Sequence, residues 1–222
     1  MKAEIKNIEK YFGKKQVLCG ASLTAEGGEY ITVAGGNGSG KSTLLGVLAG
    51  TLSGSGSFLV DGEELMGNDK KRNKVIGYIP QTPPLFEELT AKDHMELFWG
   101  KKGMNGKVGK GIASMLGVDE FLRVPVRKMS GGMKKRLSVA CAVAHGPSIL
   151  FLDEVGAALD PDCRESIYGY IRAFCAAGGI VISVTHDLGE ITRSDRCYAL
   201  KGGVLGEVKA SEHTELFEEL YS

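Results

Sequence analysis

The chain has 222 residues with 27 Lys+Arg against 27 Asp+Glu, a formal net charge of zero, which excludes a general nucleic-acid binder with the usual basic excess. A hydrophobic share of 43% excludes intrinsic disorder as the main state. Glycine is the outlier at 32 residues, about twice its average share, but with 6 Pro and no glycine period a collagen-like chain is excluded too.

Residues 4–33 alternate apolar and polar in short pieces, such as Glu4-Ile5-Lys6-Asn7-Ile8, and end in Tyr30-Ile31-Thr32-Val33, a predicted buried strand. A glycine loop follows, then a predicted helix over Ser42–Ala49. Gly56–Gly62 reads as a strand running into a tight turn, and Val75–Pro80 as another short strand. From Thr82 to Gly146 the pattern is helical, with Leu89, Met95, Leu97 and Phe98 as apolar positions. Inside it lie Gly100, Gly103, Gly106, Gly109 and Gly111 among lysines. This stretch is expected to be a mobile, solvated connector, with a basic contact site as the sharper alternative. The apolar runs Ile149–Leu152 and Ile180–Val184, separated by a helical pattern, carry the βαβ signature of a mostly parallel sheet. The tail from Ser211 reads as a short acidic helix.

Five scattered cysteines (Cys19, Cys141, Cys163, Cys175, Cys197) lack metal-ligand or redox spacing and are expected to be buried, reduced thiols. No signal-peptide core opens the chain, and no apolar run reaches the length of a membrane span. A cytoplasmic location is expected, with any membrane crossing left to another chain.

Gly35-Gly36-Asn37-Gly38-Ser39-Gly40-Lys41-Ser42-Thr43 satisfies G-x-x-x-x-G-K-[ST] between a predicted strand and a predicted helix. Four glycines let successive backbone N–H groups turn toward one anion, and the helix N-terminus adds its dipole. In such a cradle Lys41 reaches the β- and γ-phosphates and Ser42 ligates Mg²⁺, so ATP or GTP is the expected ligand. The strand Ile149–Leu152 ends in Asp153-Glu154. Asp153 is placed to hold Mg²⁺, and Glu154 to polarise the attacking water as general base.

Met129-Ser130-Gly131-Gly132-Met133, between the cradle and the Asp153 strand, resembles the LSGGQ signature of ABC-type ATPases. Ser130 and two glycines precede a basic helical run, a second helix N-terminus suited to phosphate. The resemblance implies a head-to-tail dimer in which Ser130, Gly131 and Gly132 of each chain, identical or paralogous, close on ATP held by the other's cradle. It extends to Tyr11, which matches the adenine-stacking aromatic, and to Gln81, which matches the glutamine that contacts Mg²⁺ or water and reports on the transmembrane partner. Ala158-Leu159-Asp160 resembles the loop joining the two ATP sites, and His186 matches the γ-phosphate-sensing histidine. The implied fold class is α/β: a P-loop NTPase core with a mostly parallel sheet, an antiparallel β sub-lobe and a helical sub-lobe. One ATPase domain would span residues 1–222, with its RecA-like core in 1–81 and 147–222 and its helical lobe in 82–146. The implied partner is an integral membrane permease, with no nucleic acid, and the chain would sit on the cytoplasmic face of the membrane.

Two departures stand out. Where the family usually has Glu-Pro-Thr, this chain reads Glu154-Val155-Gly156, which gains backbone freedom. Met133 replaces the usual glutamine, and SGGMKKRLSVA, with the segment Gln81–Thr90, looks like ATPases of drug and antibiotic exporters. Export is therefore expected over import. Two alternatives remain: a soluble ABC ATPase serving, for example, cluster assembly, and a non-hydrolysing ATP-binding regulator, motivated by Val155-Gly156.

Overall fold

The structure is a computed structural model describing residues 1–156 and 159–209. Early alternation produces a long hairpin: β1 (Lys2–Phe12) and β2 (Lys15–Glu26) pair antiparallel, with Ala3, Ile5, Ile8, Leu18, Ala21, Leu23 and Ala25 buried. A bulge at Asn7 (φ 52) shifts the register between Ile5 and Ile8. β3 (Tyr30–Ala34) leads through the glycine loop into α1 (Lys41–Ala49). β4 (Ser55–Val60) and β5 (Glu63–Glu64) complete a four-stranded antiparallel sheet in the order β2-β1-β4-β5. Asp61 (φ 48) and Gly62 (φ 82) make the turn between them, the positive-φ pair that Asp-Gly favours in a hairpin. α2 (Asp69–Val75), capped by the Asn68 side chain, was not anticipated; it delivers the chain to β6 (Ile76–Ile79).

The helical segment comprises α3 (Ala91–Asn105), α4 (Lys107–Met115) and α5 (Gly131–Ala142), with two short 3-10 turns between the last two. A reciprocal capping box of Thr90 and Asp93 starts α3. The expected connector at Gly100–Gly111 is instead mostly helical. Gly100 (φ 65) kinks α3, Met104 is buried, and the chain re-enters a helix at Lys107. Side-chain packing overrides the low helix propensity of glycine there. Leu97 and Phe98 lie exposed, while Met95 is buried and Trp99 donates from its indole to Ala140 O at 2.9 Å, tying α3 to α5.

After α5 come β7 (Ile149–Asp153), α6 (Pro161–Ala176), β8 (Ile180–Thr185), α7 (Leu188–Ile191), β9 (Arg196–Lys201) and β10 (Val204–Val208). The second sheet runs β10-β9-β3-β8-β7-β6, parallel except for the β9–β10 edge. Every residue of β3, β7 and β8 is buried, because both faces of this sheet are covered. Strand alternation divides the core. Tyr30, Leu150, Leu152 and Val181 pack with the helical segment and α6, while Ile31, Val33, Ile149, Phe151 and Ile182 pack with α1 and the antiparallel sheet.

All five cysteines are unpaired thiols. Four are buried as expected, but Cys19 is exposed, because its position in β2 falls on the solvent side of the alternation. No helix among the described residues is long and apolar enough to cross a membrane. The tail from Ser211 lies outside the described residues.

Candidate active site

The glycine loop between β3 and α1 lines an open cavity of about 350 Å³ with Val17, Gln81 and Glu154. Its own lining residues are Asn37, Gly38, Gly40, Lys41, Ser42 and Thr43. Gly40 sits at φ 106 with Val17 Cγ1 3.0 Å from where a Cβ would stand, so only glycine enters α1 this way. No side chain caps α1, leaving its first backbone N–H groups available to a ligand. Lys41 folds back over the loop, donating to Gly35 O at 2.6 Å and Gly36 O at 3.1 Å. Burial pushes its pKa down, opposed by the Glu154 and Asp153 carboxylates. Ser39 Oγ is buried with no hydrogen-bond partner among the described residues.

Two carboxylates close the other side. Asp153, buried at the end of β7, accepts from Ser42 Oγ at 2.9 Å and from the Tyr78 hydroxyl at 3.4 Å. Burial pushes its pKa up, and burial together with the Asp153 charge pushes Tyr78 up to about 12. Glu154 holds φ 48, a left-handed conformation that turns its side chain off the strand line. Gln81 Nε2 donates to its Oε2 at 2.7 Å, His186 Nδ1 lies 3.1 Å from its Oε1, and Lys41 Nζ lies 4.0 Å from the same oxygen. Ser42, Asp153 and Gln81 bring a hydroxyl, a carboxylate and an amide together, the hard oxygen donors that suit Mg²⁺.

The structure thus brings Lys41, Ser42, Gln81, Asp153, Glu154 and His186 together from four separated segments. Tyr11 is not among them. It is exposed near the end of β1 and lines a separate shallow depression with Glu9, Lys10 and Ser53–Ser55. Ser130, Gly131 and Gly132 lie away from the cavity, at the start of α5, where Ser130 Oγ accepts from Met133 N at 3.2 Å. Gly132 instead abuts the start of α6: a Cβ there would stand 3.0 Å from Asp160 Oδ2 and 3.2 Å from Cys163 Sγ.

Three residues at the site escaped sequence reasoning. Val17 and Tyr78 read simply as strand residues. Lys135 read only as part of a basic helical run; it is 5% exposed and donates to Pro80 O at 3.1 Å and Gln81 O at 2.8 Å. Its neighbours diverge: Lys134 pairs with Glu87 at 2.9 Å on the surface, and Arg136 stacks over Phe121. The helical period was the available signal, since Gly132, Lys135 and Val139 share one buried face of α5.

The comparisons with known proteins agree with this geometry. The family model described as ABC transporter matches residues 18–157. The chain is 30% identical to the linearmycin resistance ATP-binding protein LnrL of Bacillus subtilis (strain 168), over 96% of this chain and 76% of that protein. It is 35% identical to the Nod factor export ATP-binding protein I of Rhizobium sp. (strain N33), over 90% and 68% respectively. Among solved structures, a dimeric ATP-binding cassette in a post-hydrolysis state with ADP and Pi superimposes with a TM-score of 0.79 at 27% identity, covering 94% of this chain and 98% of that one. Cradle, strand-end carboxylates, signature helix and these likenesses converge: the chain belongs to the ABC transporter family of ATPases.

Proposed function

We propose that this chain is the ATP-hydrolysing motor subunit of an exporter, working as a pair of ABC ATPase chains on a separate membrane permease. The observation that carries the reading is the convergence on Glu154 of Gln81, His186 and Lys41, beside a buried Asp153 bonded to Ser42. In this reading the α1 N-terminus and Lys41 grip the phosphates, and Ser42, Asp153 and Gln81 hold Mg²⁺. When bound, the ion neutralises charge on the transferred phosphoryl group. Glu154 accepts the proton of the attacking water, and His186 and Gln81 hold that carboxylate in place. Tyr11 would stack on adenine from beyond the cavity rim, and Ser130, Gly131 and Gly132 would serve the partner's nucleotide.

The single ATPase domain, the permease, the pairing of chains and a place on the cytoplasmic membrane face all belong to this proposal. Export is favoured because both named relatives act in resistance or export by their names. ATP hydrolysis and ATP binding by wild type and Glu154→Gln test it. Loss of about 10²- to 10⁴-fold in kcat, the worth of a general base, with ATP still bound, is the expected result. Equal rates for the two proteins would refute the assignment.

A further inference from the structure

The departure Val155-Gly156 has a physical counterpart on the far side of the catalytic loop. Val155 is 3% exposed and packs in the core shared with α6. Gly156 is buried against Glu190 of α7, whose Oε1 accepts the Gly156 N–H at 2.8 Å. Arg164 of α6 donates to the carbonyl of the same glycine at 3.2 Å. A Cβ at Gly156 would land on Glu190 Oε1 and stand 3.0 Å from the Tyr168 hydroxyl. A pocket of about 10 Å³ remains between these groups, no more than one water's room. Gly156 is thus gripped at both polar groups, two residues after Glu154, and Glu154 is itself fixed through its N–H to Val184 O at 3.0 Å.

Glu190 is 3% exposed, an uncommon burial for a carboxylate with no cation bonded to it directly among the described residues. Its second oxygen accepts from Ser183 Oγ at 3.2 Å, and its own N–H reaches Asp187 Oδ1 at 3.2 Å. It stands four residues after His186, so one short segment carries both the histidine that touches Glu154 and the carboxylate that holds Glu154's loop.

We propose that Glu190 is a positioning residue for hydrolysis: by holding Gly156 it fixes the left-handed backbone of Glu154 and keeps that carboxylate in register with His186. Glycine stands at 156 because Glu190 and Tyr168 occupy the space of any side chain. Glu190 does not line the cavity of the glycine loop; it acts through the loop, and its removal slows the chemical step without loosening ATP. The proposal rests on Glu154 being the general base.

The test is steady-state ATP hydrolysis by the purified chain, at concentrations that saturate its self-association, with ATP affinity measured in parallel. Glu190→Met fills the same space without an acceptor and is expected to lose about 10- to 100-fold in kcat, the scale of a displacement near 1 Å, with KM for ATP unchanged. Glu190→Gln keeps an acceptor for the Gly156 N–H and is expected to return to within about threefold of wild type. Gly156→Ala should slow the wild type but add much less on Glu190→Ala, where the severe clash with Glu190 is gone and only the closer approach to Tyr168 remains. Equal kcat for Glu190→Met and wild type, equal losses in the Met and Gln variants, or the same Gly156→Ala penalty in both backgrounds would each overturn the proposal. Glu154→Gln in the same assay separates the two readings: if it turns over as fast as wild type, the base assignment fails, whatever Glu190 does.

Discussion

Lys135→Met tests whether the signature helix holds the Gln81 segment. The lysine is almost fully buried, and its ammonium donates to two consecutive carbonyls, Pro80 O and Gln81 O, at 3.1 and 2.8 Å. Hydrogen bonds from a charged donor are worth about 1.5–3 kcal/mol each. The ammonium also pays for its own desolvation, which lowers the Lys135 pKa and offsets part of that gain. Methionine matches the stem in volume, so no cavity term enters. A net loss of about 2 kcal/mol is expected, since Gln81 is exposed and water re-solvates its carbonyl. For a chain of this size that lowers Tm by about 4–8 °C. Gln81 Nε2 holds Glu154 at 2.7 Å, so freeing the Gln81 backbone should also cost about tenfold in kcat with little change in KM. Calorimetry and steady-state hydrolysis read the two effects, and Lys135→Met should add little to Gln81→Ala, because both break one path. Unchanged Tm together with unchanged kcat would refute the reasoning, as would fully multiplicative losses in the double variant.

Lys41→Ala removes the one buried cation of the cradle and should weaken ATP binding by tenfold or more, on the order of one charge-assisted contact; unchanged affinity in isothermal titration would count against the phosphate cradle. Glu190 gives a pH signature in stability. Burial raises its pKa above the ordinary 4.5, assisted by the nearby Asp187 charge and opposed by its bonds from Thr185, Gly156 and Ser183. A carboxyl raised in the folded state contributes stability that is complete below 4.5 and is lost as pH rises through the folded value. Glutamine does not titrate, so Glu190→Gln should gain in Tm relative to wild type as pH increases from 4.5 upward. A constant Tm difference across that range would show that the carboxyl is not raised.

Legibility followed the range of the signals. The cradle and the Asp153-Glu154 strand end were readable because each is a contiguous string with a fixed backbone job: glycines for anion approach, and an apolar run that stops at an acid. The buried strands were readable because continuous apolar runs have few other uses in a soluble fold. Gly100–Gly111 misled because composition was weighed above packing; Met104, in that stretch, is buried against the core, and the backbone follows it into helix. Lys135, Tyr78 and Glu190 were invisible for a different reason. Their partners are Pro80 and Gln81, Asp153, and Gly156, which lie 34 to 75 residues away in the chain. A hydrogen bond between distant segments leaves no local pattern, so only the assembled sheet reveals it.

The charges at the site give the neutral composition a more specific meaning. Lys41 contributes one positive charge to the cavity, while Asp153 and Glu154 contribute two negative ones within reach of it. Such a balance would repel a triphosphate if side chains alone set the field. In the proposed function two other sources would supply attraction: the N–H groups at the start of α1, which no side chain caps, and a divalent cation that Ser42 and Asp153 would hold. The carboxylates that oppose an anion by themselves would become the ligand and the base with that cation bound. On this reading ATP binds as its metal complex, and the site discriminates against the metal-free nucleotide by repulsion. That discrimination needs no basic surface, so a chain with 27 charges of each sign can bind a polyanion at one local site without a net positive field.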